Sequence, residues 1–144
     1  MTRIAINGFG RIGRNLFRLL LNHPTIEVVA INDIADTKTM AHLLKYDSIH
    51  GVLPYKVTTD DYGIFVEEKH FFFFHEKNIA NLDWKGIDID YVVEATGKYK
   101  TFEEINAHIL AGAKKVILSA PSEVDTIKTV VLGVNENILD GSET

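Results

Sequence analysis

The stretch R-I-A-I-N-G-F-G-R-I-G-R-N, residues 3–15, changes character halfway along. Arg3-Ile4-Ala5-Ile6 is too short for a helix and β-branched enough for a buried strand. Gly8, Gly10 and Gly13 follow at the spacing G-x-G-x-x-G. Beyond them Ile12, Leu16, Leu19 and Leu20 recur at helical spacing, so the period switches from strand to helix across the glycines. Each glycine has a physical task in such a turn. Gly8 permits the tight turn, Gly10 lets the backbone approach a pyrophosphate, and Gly13 lets the helix pack closely on the strand. The start of the helix offers free N–H groups and roughly half a positive charge to a bound anion.

A glycine pattern alone is weak, and its surroundings decide its meaning. Here a strand precedes it, a helix follows it, and Asp33 stands 20 residues past Gly13, at the end of a second apolar run, Ile26 to Ile31. A carboxylate there accepts hydrogen bonds from an adenosine ribose and repels a 2′-phosphate, which points to NAD over NADP. The competing reading of Asp33 is a helix N-cap or a turn residue.

The remaining chain alternates. Residues 37–46 read as a short helix with Met40, Leu43 and Leu44 inward. From Gly51 to Lys77 come short β-favouring pieces, YKVTT, GIFVEE and HFFFFHE, which suggest an antiparallel meander. DIDYVVEATG then reads as a strand ending at a glycine. A helix over 101–111 opens with a capping box, Thr101 and Glu104, and Gly112 is placed to end it in the left-handed conformation. KKVILSAP and TVVLGVN read as two further strands. The expected fold is therefore α/β, a Rossmann-type, doubly wound, mainly parallel sheet with helices on both faces and an inserted antiparallel meander, in one domain over 1–144. Ligands of such sheets lie at the carboxyl ends of the strands. Thr96 and Gly97 are expected to line that crevice, Tyr99 to pack against adenine and Ser119 to stand in the same mouth. A half-buried aromatic and a strand-end cap are the plain alternatives for Tyr99 and Ser119.

Totals narrow the function classes. The 144 residues carry 15 basic and 20 acidic side chains, a formal charge of −5, which argues against a general nucleic-acid binder. Arg3, Arg11, Arg14 and Arg18 form the one local basic excess and read chiefly as a solvated helix face. There is no cysteine, hence no disulfide, thiolate metal site or thiol nucleophile within these residues. No apolar run reaches the roughly 18 residues of a membrane span, and the N-terminus lacks a signal-peptide core, so a cytoplasmic location is the expectation. The six histidines show no i, i+4 pairing, so no metal site is expected. The run Phe71–Phe74 reads as a strand buried on both faces.

INGFGRIGR, YDSIHG, EATGKY, KKVILSAPS and TVVLGVN, in this order from Thr2 to about Asn137, resemble the N-terminal half of the phosphorylating glyceraldehyde-3-phosphate dehydrogenase family. The resemblance implies backbone N–H donation from Arg11 and Ile12 to the pyrophosphate of NAD, with Asp33 on the adenosine ribose. It also implies Tyr99 in the adenine pocket and Ser119 near the nicotinamide. Where that family commonly has Arg beside adenine this chain has Lys77, which keeps the charge and loses the planar stack. The sister erythrose-4-phosphate dehydrogenases share much of this half, and VAINDIADTKTMAHLLKYD leans their way. Glu94 to Gly97 and Ser119 to Pro121 favour the glyceraldehyde enzymes. A nucleotide-binding module without catalysis is the remaining alternative. The resemblance further implies that the nucleophilic Cys, the general-base His and the sugar-phosphate site belong to a second domain beyond Thr144. These 144 residues are then expected to bind cofactor without catalysing, and the full-length protein is expected to form a homotetramer.

Overall fold

A computed structural model describes residues 1–122 and 124–143. Glu123 and Thr144, the last residue of the expected domain, lie outside the described residues. The apolar run before the glycines forms β1 (Thr2–Asn7), and the helical pattern after them forms α1 (Arg11–Leu20). Then come β2 (Ile26–Asn32), α2 (Thr37–Lys45) and a two-strand ladder of β3 (Tyr46–Asp47) and β4 (Gly51–Val52). The meander region gives β5 (Val57–Thr59), β6 (Gly63–Val66) and β7 (Lys69–Phe74). A 3-10 turn (Ile79–Asn81) leads to β8 (Tyr91–Glu94), α3 (Phe102–Leu110) and β9 (Lys115–Leu118).

The large sheet runs β5-β6-β7-β2-β1-β8-β9. β7, β2, β1, β8 and β9 are all parallel, and β5 and β6 add antiparallel to the outside of β7. The meander is thus fused to the parallel sheet, because its last strand pairs with β2 through Ala30↔Phe72 to Asn32↔Phe74. The chain builds outward from β1 in one direction, then returns to β1 and builds in the other. The two connections that part company, after β1 and after β8, frame the crevice where this topology holds its ligands.

Alternation assigns the two faces. Ile4 and Ile6 pack with α1 and α2, while Ala5 faces Trp84, Val92 and the α3 side. A bulge opposite Ile4/Ala5 leaves Val29 without a register partner on β1, and beyond it Ala5 pairs with Ala30. The α1/α2 face is sealed by aromatic edges: Phe9 and Phe73 meet at 6.1 Å, Phe17 and Phe71 at 4.7 Å.

Four sequence expectations need correction. The inward face of α1 is Gly13, Leu16, Phe17 and Leu20, while Ile12 and Leu19 are exposed. Gly13 sets that phase, since a Cβ on it would stand 2.1 Å from the Gly8 carbonyl oxygen. Phe71 and Phe73 are buried, but Phe72 is exposed and Phe74 only half-buried, so β7 is covered fully on one face. TVVLGVN is not a strand. Gly133, at φ +79°, turns the chain, and the Asn135 side chain accepts from Val131 N–H and donates to the Thr129 carbonyl, taking up groups a ladder would use. Arg14 and Arg18 are not a solvated face. Arg14 donates to the Phe9 carbonyl at 2.8 Å, and Arg18 ties the α2 end to the β4 approach through Leu44 and Gly51 carbonyls. Arg3 lies on β1 and ion-pairs with Glu27 at 3.1 Å.

Candidate cofactor site

The turn after β1 is shaped by two close approaches. Gly8 has φ +96°, and a Cβ there would meet the Ala95–Thr96 peptide at 2.6–2.7 Å. The glycine turn therefore rests directly on the loop that follows β8. Gly13 brings α1 down onto the Gly8 carbonyl, as noted above. Gly10 is different: its φ is −72°, and a Cβ built on it meets nothing within 4 Å. Nothing in the chain itself requires glycine there, and the space beside that backbone is open.

The start of α1 is open. Gly10 is its N-cap and supplies no side-chain acceptor, its first turn holds no acid, and Arg11 stands there exposed beside Ile12. The orphan N–H groups of a first turn and the helix dipole together attract an anion. Burial pulls the Arg14 guanidinium below its ordinary value, against the opposing pull of Asp47.

Asp33, just past β2, is half-buried beside this turn. Its Oδ2 accepts from Phe9 N–H at 2.7 Å and its Oδ1 from Ala35 N–H at 2.9 Å. One carboxylate thus pins the glycine turn and starts the turn toward α2. The N-cap of α2 is Asp36, whose Oδ1 takes Thr39 N–H at 2.9 Å. Each oxygen of Asp33 keeps a second lone pair that a further hydrogen-bond donor can use.

Two of the remaining candidates meet: Tyr99 donates from its hydroxyl to the Lys77 carbonyl at 2.9 Å, and its ring packs under the α3 face. Burial, then the charges of Glu94 and Glu104, push the Tyr99 hydroxyl above its ordinary value. Gly97, at φ +70°, is exposed, and its Cβ direction is open. Ser119 is exposed at the end of β9, its N–H bonded to the Glu94 carbonyl at 3.0 Å. Gly8, Thr96 and Ser119 thereby stand at the ends of three adjacent parallel strands.

A polar set beneath this rim was not singled out from the sequence. Asn7, Asn32 and Glu94 end β1, β2 and β8, and all three are buried. Asn32 Nδ2 donates to Asn7 Oδ1 at 2.7 Å, and Asn7 Nδ2 donates to Glu94 Oε2 at 2.5 Å. Glu94 Oε1 accepts both the N–H and the hydroxyl of Thr96, at 2.8 and 2.5 Å. His108, from α3, lies 3.0 Å from Glu94 Oε2, and Trp84 Nε1–H donates to His108 Nδ1 at 3.0 Å. The signal was present in the sequence: the tripeptide Ala-Ile-Asn closes both the first and the second apolar run, 5–7 and 30–32.

Among the described residues no helix is long and apolar enough to cross a membrane. Comparison with known proteins agrees with the turn-and-acid geometry. Residues 2–102 match the family described as glyceraldehyde 3-phosphate dehydrogenase, NAD binding domain. A glyceraldehyde-3-phosphate dehydrogenase of Mycoplasma pneumoniae is 50% identical over 98% of this chain and 42% of its own length. That of Thermotoga maritima is 48% identical over 100% and 44%, and that of Geobacillus stearothermophilus 49% over 96% and 41%. The chain therefore spans about two fifths of the length of these relatives. Its sheet order, its glycine turn and these matches all lead to one assignment: the chain belongs to the NAD-binding domain family of the glyceraldehyde 3-phosphate dehydrogenases.

Proposed function

We propose that the start of α1 seats the NAD diphosphate, with Arg11 and Ile12 donating backbone N–H groups across the open side of Gly10. Asp33 takes the adenosine ribose hydroxyls, Lys77 and Tyr99 flank the adenine, Thr96 and Gly97 line the cofactor, and Ser119 stands near the nicotinamide. The observation that carries this reading is the uncapped, acid-free first turn of α1, with an open Cβ direction at Gly10 and the Asp33 carboxylate bonded to Phe9 beside it. Bound there, NAD supplies a hydride acceptor. Asp33 orients the ribose, and its charge disfavours a 2′-phosphate.

In the same proposal the whole protein oxidises glyceraldehyde 3-phosphate, with inorganic phosphate as second substrate, in the cytoplasm and as a homotetramer. The chain contains no cysteine, so the thiolate that adds to the aldehyde belongs to a further domain of that protein. The 144 residues alone are then a cofactor-binding unit with weaker affinity than the whole enzyme.

Calorimetric titration of this chain with NAD and, separately, NADP tests the reading. Binding of NAD with little of NADP is the expected result. Equal affinity for both would remove Asp33 from the ribose, and no binding of either would overturn the site as drawn.

A further inference from the structure

The large sheet ends on one side in β5, four strands from β1, roughly 19 Å away at a spacing of about 4.8 Å between strands. Between β5 and α2 lies a groove of about 570 Å³, the size of a small-ligand site. Its basic lining is Lys38, His42 and Lys45 from α2 and Lys56 from just before β5, and no acidic side chain lines it. In a chain whose acids outnumber its bases by 20 to 15, three lysines meeting without one acid depart from the average surface.

Local structure accounts for part of this. Lys38, His42 and Lys45 follow at i, i+4 and i+7, so they share one stripe of α2. His42 and Lys45 stand in the last turn, where the helix dipole favours cations, but Lys38 stands in the first turn, where it disfavours them. Lys45 is half-buried, and its Nζ donates to the Leu53 and Tyr55 carbonyls at 2.7 Å each. An ammonium has three donors, so a third N–H remains on a cation whose place is fixed. The acids nearby are engaged with backbone N–H groups: Asp36 with Thr39, Asp47 with Ile49 and His50, and Glu67 with Lys56. Among the described residues none forms an ion pair with Lys38, Lys45 or Lys56.

Uncompensated like charges repel one another, and a bound anion removes that repulsion. Lysine suits a phosphate as a compact point charge, and Thr58 and Thr59 add hydroxyl donors on the β5 side of the groove. The volume also leaves room for a small organic body. Tyr46, its ring 4.9 Å from that of His42, and Tyr55 offer that body an apolar wall. We propose that this groove is a separate anion site, which takes a small soluble metabolite bearing a phosphate monoester through Lys38, Lys45 and Lys56. It stands independently of the glycine turn, so a chain that failed to bind NAD would still bind phosphate here.

The test is an NMR titration of this chain with inorganic phosphate at constant ionic strength, which keeps general screening fixed. Saturable shifts are expected at the backbone amides of His42, Tyr46 and Lys56, in Gly10→Asp as in the wild type. Lys38 and Lys56 are exposed, and replacing them leaves the Lys45 contacts in place. In Lys38→Gln/Lys56→Gln the affinity is therefore expected to fall about tenfold, the scale of two surface charge contacts. Shifts confined to the first turn of α1, shifts that grow without saturating, or an unchanged affinity in the double variant overturn the proposal. Glycerol 3-phosphate is then compared with phosphatidylcholine vesicles that carry phosphatidic acid. Tighter binding of the soluble ester than of inorganic phosphate, with no capture by the vesicles, is expected. Capture by the vesicles without binding of the ester would assign the groove to a membrane surface and overturn the ligand class.

Discussion

Two helices start at the same rim of the sheet and end their first turns in opposite ways. α3 closes its own: Thr101 Oγ accepts from Glu104 N–H at 3.3 Å, Glu104 returns to Thr101 N–H at 3.1 Å, and Glu103 and Glu104 supply negative charge. α1 has glycine at the N-cap, no acid in its first turn, and Arg11 and Arg14 in the place of acids. By intrinsic preference α3 is the better-made helix start. The first turn of α1 gives up roughly the few tenths of a kcal/mol by which a capping side chain exceeds glycine, and its N–H groups have no side-chain acceptor at the N-cap. The difference teaches that a binding site at a helix start is recognised by what the sequence withholds there, as much as by what it supplies.

The comparison breaks most sharply if α1 is given the missing cap. Gly10→Asp places a carboxylate on an extended backbone with open space around its Cβ. The new side chain accepts the N–H groups that the proposed reading gives to the diphosphate, and it adds repulsion. NAD affinity should fall by about 10- to 100-fold, the scale of one lost hydrogen bond to a charged group. The thermal midpoint should hold or rise by the few tenths of a kcal/mol by which Asp exceeds Gly as an N-cap. A variant that keeps its affinity would show that the anion does not use this end of the helix.

Gly13→Ala tests the second close approach. A Cβ 2.1 Å from the Gly8 carbonyl oxygen cannot be accommodated without lifting α1 off β1. Overpacking of this kind costs about 1–3 kcal/mol, read as a lower urea midpoint. Thr101→Ala is the matching change on α3: about 1 kcal/mol of stability is expected to go, with NAD affinity unaltered. If Thr101→Ala weakened NAD as much as it weakened the fold, the two helix starts would not be independent.

Much of this contrast was legible in the sequence, and the reasons are local. A capping box is four consecutive residues, and a glycine turn is bounded by two short elements whose periods differ. Thr101, Glu104, Gly8 and Gly112, the last at φ +108°, all stand where that reading put them. What escaped was set by distant partners. The phase of α1 depends on the contact between Gly13 and Gly8, so counting apolar residues chose Ile12 and Leu19 over Phe17. TVVLGVN has strand composition, but Asn135 and Gly133 turn it back on itself. Glu94 is 87 residues from Asn7, and His108 is 24 residues from Trp84. No spacing rule joins such pairs, and the two Ala-Ile-Asn strand ends were the single local hint.

The finest distinction between the helix starts is electrostatic, and pH reads it. The backbone N–H groups of Lys100, at 3.0 Å, and Thr101 hold the Glu104 carboxyl below its ordinary value of 4.5. A lowered value means that the folded chain binds this proton less tightly than the unfolded chain does. The carboxylate therefore stabilises the fold fully above pH 4.5, and its contribution fades as the pH falls through the lowered value. In Glu104→Gln the cap keeps a neutral acceptor and loses this dependence. The gap in thermal midpoint between wild type and variant should be widest near neutrality and close as the pH is taken well below 4.5. Asp36 and Asp90, whose values are also lowered, titrate in both proteins and cancel from the difference. A gap that stayed constant with pH would assign the Glu104 contribution to shape alone and remove charge from the account of why α3 is closed and α1 is not.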